Sequence, residues 1–416
     1  MPRDVRMRGF AERADVEDVE RFLSQRTSPL TSESVALHEC AGRVLAVDVC
    51  AEVDVPGFDR SAMDGYAVRG EDTFGASAYD PLTLKLLGTA LPGEPFEGRV
   101  EAGTAVRVMT GAPIPQGADA VVMAEVCGER DGQVEVREAV APRRHVGAVG
   151  EDIRRGDVVL LAGRRLRAQD LGLLASIGVA TPLCIRRPRV ALVVTGDELL
   201  PAGSRPDGVR IVDSNSVILR ALVDRDGGDC LPFEILPDRP ERIREALMAD
   251  ADVVLVSGGS SVGQEDHAPR LVAELGSLDF HGVSMRPSSP AGVGRIGDAA
   301  VFLLPGNPVS CLCAYEFFAG PTIRSMGGRP RTWPHRRVRL SLARKISSAV
   351  GRTDYVRVAI EQGRVVPIAT SGASILSSTV RASGCVIVER SLEGMPEGAE
   401  VEVLLYDEEP TEEISP

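Results

Sequence analysis

Between residues 189 and 326, short apolar segments alternate with longer ones whose apolar residues recur every three or four positions. Val190–Val194 and Val253–Val256 contain no polar residue, and Val301–Leu304 repeats the pattern. Such a strand must be covered on both faces, which a parallel sheet between two helix layers provides. The intervening segments carry Val217, Ile218, Leu222 and Val223, then Ile243 and Leu247, then Leu271, Val272 and Leu275, at helical spacing. Ser214 and Asp238 stand where helix caps are expected, and Gly227 and Gly228 where a helix ends. Phe233–Leu236 and Phe280–Val283 read as further strands, and PGNP leads into a long helix reaching Met326. The pattern predicts a doubly wound parallel-sheet domain.

The rest of the chain has a different texture. Residues 15–25 read as a helix, and Ala36–Val49 as a helix followed by a strand. From Ala51 short alternating runs are broken by Pro and Gly turns, which predicts a β-rich insert. Leu166–Ile177 reads as a short helix. After a linker near residue 329, Val338–Leu342, Tyr355–Ile360, Arg364–Ile368, Cys385–Val388 and Glu400–Leu404 predict a small all-β domain. A chain of 416 residues suits several such domains.

A formal net charge of −13 argues against nucleic acid and anionic membranes as general partners. The N-terminus has no apolar signal core, and no stretch has the composition of a membrane span, so a cytoplasmic protein is expected. The eight cysteines are scattered without a C-x-x-C pair, which favours reduced thiols over a zinc or disulfide framework. Cys311 and Cys313 read as small buried helix residues. None of the five histidines has metal-ligand spacing.

In an open parallel sheet, ligands bind beyond the carboxyl ends of the strands. Three loops leave there. TGDEL places Asp197 and Glu198 where a solvated Mg²⁺ could sit, although for so short a motif taken alone a polar capping loop is the stronger reading. SGGSSVGQED offers Gly258 and Gly259 for close backbone approach, hydroxyls from Ser260 and Ser261, and Asp266 at a helix start. It is neither a Walker A loop nor G-x-G-x-x-G. LPGNPVS is stiffened by Pro305 and Pro308, and Asn307 can cap the following helix. Elsewhere, FDRSAMDGYAV, MTGAPIPQGADAVV and GEDI gather polar residues in turns.

Taken together and in this order, FDRSAMDGYAV, VMTGAPIPQGADAVV, GEDI, VVTGDELL, VDSNSVILRALV, VLVSGGSSVGQED and FLLPGNPVSC resemble the MoeA family of molybdopterin molybdenumtransferases, to which the gephyrin E-domain belongs. The resemblance implies a multidomain α/β plus β fold. Residues 1–50 with 143–186 would form an elongated N-terminal domain, 51–142 the β-rich insert, 187–328 the molybdopterin-binding domain and 329–416 a small C-terminal β-barrel domain. It implies a homodimer in which the insert of one subunit lies over the α/β domain of the other. The implied reaction consumes adenylylated molybdopterin and molybdate with Mg²⁺ and releases AMP, with a molybdopterin adenylyltransferase as an expected partner.

Carried over by position, the catalytic set is Asp59, Thr110, Asp152, Glu198, Asp238 and Asp266, with Asp59, Asp152 and Glu198 expected to handle Mg²⁺ or adenylate. Ser257, Gly258, Gly259, Ser260, Ser261 and Gly263 would hold the pterin phosphate region. Arg286 and the wall formed by Pro305, Gly306, Asn307 and Pro308 would complete the molybdopterin and nucleotide site. Arg357 and Ser377 match positions expected to take molybdate, and Arg suits an oxyanion. One departure stands out: a K-P-G-K-P-like run of the family reads MRPSSP here, with Ser289 at the second Lys. A lost charge-assisted contact is worth about 1.5–3 kcal/mol, which leaves a molybdopterin-binding paralogue with weak or no insertase activity as the alternative. A scaffold role is disfavoured by the lack of an extra partner-binding domain.

Overall fold

The computed structural model describes residues 13–258, 267–369 and 372–406. It divides into two compact units, Ser34–Cys184 and Met1–Glu33 with Ile185–Pro416. Helix α1 (Val16–Arg26) belongs to the second of these. Its Val16, Val19 and Leu23, spaced three and four apart, form one apolar stripe and enter the core of the α/β sheet. Phe22 meets Phe280 edge-on at 5.0 Å. The start of the expected N-terminal domain thus packs with the α/β core.

In the unit Ser34–Cys184, six strands form one sheet: β1 (Gly65–Val68), β2 (Leu82–Ala90), β3 (Thr104–Val108), β4 (Ala120–Met123), β5 (Cys127–Arg130) and β6 (Gln133–Val136). Their order is β4-β1-β3-β2-β6-β5. Alternation sends Tyr66, Val68, Ala105 and Val122 into one core and Ala67, Val106, Val108 and Val121 into another. A separate core gathers Leu45, Ile153, Leu166, Leu174 and Cys184 around α2 (Ala168–Ser176). The expected helix-to-strand pattern of Ala36–Val49 reduces to a single 3₁₀ turn at Leu37–Glu39 and the two-residue strand Val49–Cys50.

In the larger unit, β7 (Arg189–Thr195), β8 (Asp229–Cys230), β9 (Val253–Ser257), β10 (Ser277–His281), β11 (Gly292–Ile296) and β12 (Ala299–Leu304) are ordered β8-β7-β9-β12-β11-β10. The first four strands in that order are parallel, as the consecutive apolar runs require. Strands β11 and β10 continue the sheet antiparallel, because Gly297 (φ 56°) and Asp298 make a tight turn between β11 and β12. Helices α3 (Asn215–Asp226) and α6 (Pro308–Ala314) cover one face, with α1. Helices α4 (Pro240–Leu247) and α5 (Ala268–Leu275) cover the other.

The long helix expected after PGNP is interrupted. Tyr315–Ala319 forms a wider π turn between α6 and α7 (Gly320–Met326). Pro321 lacks an N–H and its ring would crowd the preceding turn of a regular helix, and the wider turn relieves this. Beneath α3, Asp226 is wholly buried and accepts from Tyr315 Oη (3.0 Å) and Arg324 Nη1 (2.8 Å). Arg225 joins it to Glu316 at 2.6 Å.

The C-terminal strands β13 (Arg337–Ser341), β14 (Thr353–Glu361), β15 (Arg364–Ala369), β16 (Gly384–Val388) and β17 (Glu400–Leu405) run in the order β15-β14-β16-β17-β13. A bridge from Leu342 to Val365 joins the two ends, closing the barrel around Val356, Val358, Val386 and Val403. Among the described residues, no helix is long and apolar enough to cross a membrane.

Candidate functional site

Strands β7, β9 and β12 are neighbours in register: Val194 lies beside Ser257, and Ser257 beside Leu304. Their loops therefore start from adjacent strand ends, where a cavity of about 760 Å³ opens. Thr195, Glu198, Asp213, Asn215, Asp238, Ser257 and Gly258 line one part of it, and Gly306, Asn307 and Pro308 another. Ser374 and Leu376, from the C-terminal β domain, complete the lining. Ser374 Oγ donates to Asn307 Oδ1 (2.7 Å), and the Val309 N–H donates to the Ala373 carbonyl (3.0 Å).

The close packing of the strand ends explains Gly258. Its φ is +96°, and an added Cβ would fall 2.3 Å from the Thr195 carbonyl oxygen. Asp238 has a different job from the expected cap. Helix α4 starts at Pro240 with Arg239 as its N-cap, and Asp238 instead accepts from the Thr195 hydroxyl in a short hydrogen bond. The Asp197 N–H approaches its other oxygen at 3.4 Å. Ser214 likewise makes no side-chain cap. Asp213 does, accepting the Ser216 N–H at 3.1 Å and the Ser216 hydroxyl.

Asn215 was visible only as part of VDSNSVILRALV. It is 7% exposed, and its Nδ2 donates to Ser257 Oγ (2.9 Å) and to the Gly306 carbonyl (2.8 Å).

A second cavity of about 270 Å³ adjoins Arg286, Ser288, Ser289, Pro305 and Ser310. Arg286, expected to face a ligand, is ion-paired with Asp354, which is fully buried and also accepts from Ser348 Oγ at 2.8 Å. Its charge is compensated within the chain. Ser288 sits at φ 91° and donates to the Ser310 carbonyl (2.6 Å). Among the described residues, the buried Ser289 Oγ has no partner.

Arg357, expected to meet molybdate, is 0% exposed. Burial pulls its pKa down, while Tyr406, Tyr355 and Cys313 nearby act the other way. Strand β14 is buried over Thr353–Val358, because Val356 and Val358 enter the barrel core and Tyr355 on the opposite face enters the core of the α/β sheet. The guanidinium is thus closed off from solvent. Ser377, by contrast, is exposed at the start of the helix Ser377–Val380.

The remaining expected residues lie in the unit Ser34–Cys184, where the turn segments converge. Arg60–Ser61 pairs with Val146–Gly147, the Ile114 N–H donates to the Asp59 carbonyl (2.9 Å), and the Asp152 N–H to that of Val55 (3.1 Å). Asp59, Thr110 and Asp152 thus belong to one loop cluster. Asp59 is engaged by Arg143 and by the Val149 N–H (3.0 Å), and the Arg143 contact holds its carboxyl below the usual range. Asp64 accepts both the Thr110 N–H (2.6 Å) and hydroxyl (2.7 Å), which lower its pKa, so it fixes Thr110. Arg60 pairs with Glu151 at 2.6 Å. Thr110 and Asp152 are exposed. Gly259, Ser260, Ser261, Gly263 and Asp266 lie outside the described residues. Among the described residues, no group of three His, Cys, Asp or Glu side chains could hold a metal ion.

An open α/β sheet with its cavity at the carboxyl ends of parallel strands defines a ligand-binding protein of the nucleotide- or cofactor-binding kind. Comparison with known families narrows this. Residues 14–178 match the "MoeA N-terminal region (domain I and II)", 191–325 the "Probable molybdopterin binding domain" and 339–406 the "MoeA C-terminal region (domain IV)". A molybdopterin molybdenumtransferase of Haemophilus influenzae is 33% identical over 92% of this chain and 96% of its own length. Molybdopterin molybdenumtransferase 2 of Mycobacterium tuberculosis is 32% identical over 93% of this chain and 98% of its own. The crystal structure of the molybdopterin biosynthesis MoeA protein from Pyrococcus horikoshii superposes with a TM-score of 0.82 at 30% identity, covering 95% of this chain and 100% of that one. The chain belongs to the MoeA family.

Proposed function

We propose that the protein is a molybdopterin molybdenumtransferase of molybdenum cofactor biosynthesis, which takes adenylylated molybdopterin and molybdate and releases AMP as molybdenum is inserted. The observation that carries this reading is the cavity of about 760 Å³ at the ends of β7, β9 and β12, a size suited to a pterin-sized ligand. The names of the relatives give the same direction.

In this reading Ser257 and the glycine backbone at 258 and 306 approach the ligand closely, and Asn307 and Pro308 form a rigid wall. Glu198 and Asp238 bring negative charge to the pocket. The described residues form no metal cage of their own. Mg²⁺ is commonly held by one or two carboxylates together with substrate phosphates, and Glu198 would be the residue of this pocket to hold it. When bound, Mg²⁺ would neutralise phosphate charge during phosphoanhydride cleavage. We assign Asp59, Thr110 and Asp152 to the same reaction, supplied to the pocket by a second copy of the chain in a homodimer. Molybdate would be met by Ser377, with the buried Arg357 contributing its charge at longer range. The protein would work in the cytoplasm and receive its substrate from an adenylyltransferase.

The test is a reconstitution with purified protein, adenylylated molybdopterin, Mg²⁺ and molybdate. Molybdate-dependent AMP release with molybdenum incorporation is expected. Tight nucleotide binding with no turnover, restored by Ser289→Lys, would contradict the proposal.

A further inference from the structure

We propose that Asn215 is the positioning residue of the molybdopterin pocket, tying the end of β9 to the loop after β12 so that both walls present one geometry to the ligand. This inference rests on the molybdopterin reading of that cavity. Both hydrogens of the Asn215 amide are used, one on Ser257 Oγ and one on the Gly306 carbonyl, 49 residues apart along the chain but 2.9 and 2.8 Å from the same nitrogen. The Gly306 carbonyl can only accept, so the amide nitrogen must face it and the orientation of the side chain is fixed. Among the described residues the buried amide oxygen has no partner. Buried polar atoms are rarely left so.

Asn215 is itself held in place. It is the first residue of α3, and Asp213 caps that helix through the Ser216 N–H and hydroxyl. Ser257 stands at the last position of β9, directly before Gly258, where the Thr195 carbonyl leaves no room for a side chain. Gly306 lies next to Asn307 and Pro308 in the loop after β12, which lines the same cavity. A shift of either loop would therefore alter the distance between the surfaces that grip the ligand, although Asn215 need not touch the reacting atoms.

The test uses the full-length protein and measures binding of adenylylated molybdopterin to wild type, Asn215→Ala, Asn215→Asp, Ser257→Ala and the Asn215→Ala/Ser257→Ala double variant, each first shown to be folded by its thermal transition. Asn215→Ala is expected to weaken nucleotide binding tenfold or more while leaving the half-saturating molybdate concentration unchanged. Asn215→Asp turns a donor into a carboxylate facing a carbonyl and should bind as weakly at neutral pH. It should recover as the pH falls and the carboxylic acid regains a hydrogen to donate, a profile that Asn215→Ala does not share. Ser257→Ala should cost less in the Asn215→Ala background than in wild type, since the two share one hydrogen bond. Wild-type binding that is matched by Asn215→Ala, or strictly additive effects, would overturn this proposal alone. A wild type that binds no molybdopterin nucleotide would instead overturn the functional reading beneath it.

Discussion

The polar residues at the ends of β7, β9 and β12 and those around Asp59 are held by different forces. In the α/β unit, Ser257 is 2% exposed and Asn215 7%, and each is set by buried backbone and by hydrogen bonds across strand ends. In the other unit, the side chains of Asp59 and its partner Arg143 are 36% and 53% exposed, and Arg60 and Glu151 are similarly open. Exposed pairs are screened by water and salt, so they hold a geometry weakly. Buried polar groups cannot exchange a lost partner for water, so they hold it firmly and fail abruptly. The first cluster is a preformed pocket, and the second is a surface of charged loops able to adjust to what meets it.

The largest effect should come from the buried ionic network under α3. Removing Asp226, as in Asp226→Ala, strands Arg324, which is 4% exposed, and should cost about 3–5 kcal/mol, read from denaturant unfolding. The same network has a pH signature. Burial alone would raise the Glu316 pKa, but hydrogen bonds from His335 and Arg225 hold it down at about 2. Its stabilising contribution is present above the ordinary value of 4.5 and is lost as pH falls from there through about 2. Glu316→Gln should flatten the acid limb of the stability profile over that window.

Next comes Gly258→Ala, whose Cβ would meet the Thr195 carbonyl oxygen at 2.3 Å in a left-handed backbone conformation. About 2–4 kcal/mol of destabilisation is expected, measured by thermal melting, along with loss of nucleotide binding. A variant that melted like wild type would show that the strand ends are looser than the pocket account requires.

Glu20 on α1 tests the cost of burial without a partner. Burial, then the neighbouring Glu17, raise its pKa from 4.5 to about 7 against the pull of Arg331. Its folded-state value lies above the unfolded one, so ionisation costs stability as pH rises from about 4.5 through about 7. Glu20→Gln should raise stability by about 1–3 kcal/mol at pH 8 and leave it unchanged at pH 4.

The smallest effect belongs to the exposed cluster. Arg143→Ala should change stability by no more than about 1 kcal/mol, less at high salt. If it proved as destabilising as Gly258→Ala, the contrast between the two clusters would be lost.

Much of the α/β frame was legible because its strands are apolar on both faces and its helices on one. Val190–Val194 and Val253–Val256 could hardly be placed elsewhere, and the three loops at their ends followed. What escaped depends on contacts distant in sequence. Nothing near Arg286 announces Asp354, 68 residues further on, which takes its charge. Asn215 reads as an ordinary helix-start residue, and only the third dimension brings Ser257 and Gly306 to its amide. Asp238 and Ser214 have the composition of caps, but the neighbouring strand claims the first and Asp213 pre-empts the second. Arg357 sits in a strand read only as part of a small β domain, yet Val356 and Val358 fill the barrel core while Tyr355 on the other face joins the core of the α/β sheet, so both faces are covered. The π turn at Tyr315–Ala319 had one signal, Pro321 within an otherwise helical run.

The most direct test of the central claim is amide hydrogen exchange of the full-length protein with and without adenylylated molybdopterin. The account predicts ligand-dependent protection at residues 195–199, 213–217 and 304–308, the three walls of one pocket. Saturable binding that left all three segments unprotected would contradict it.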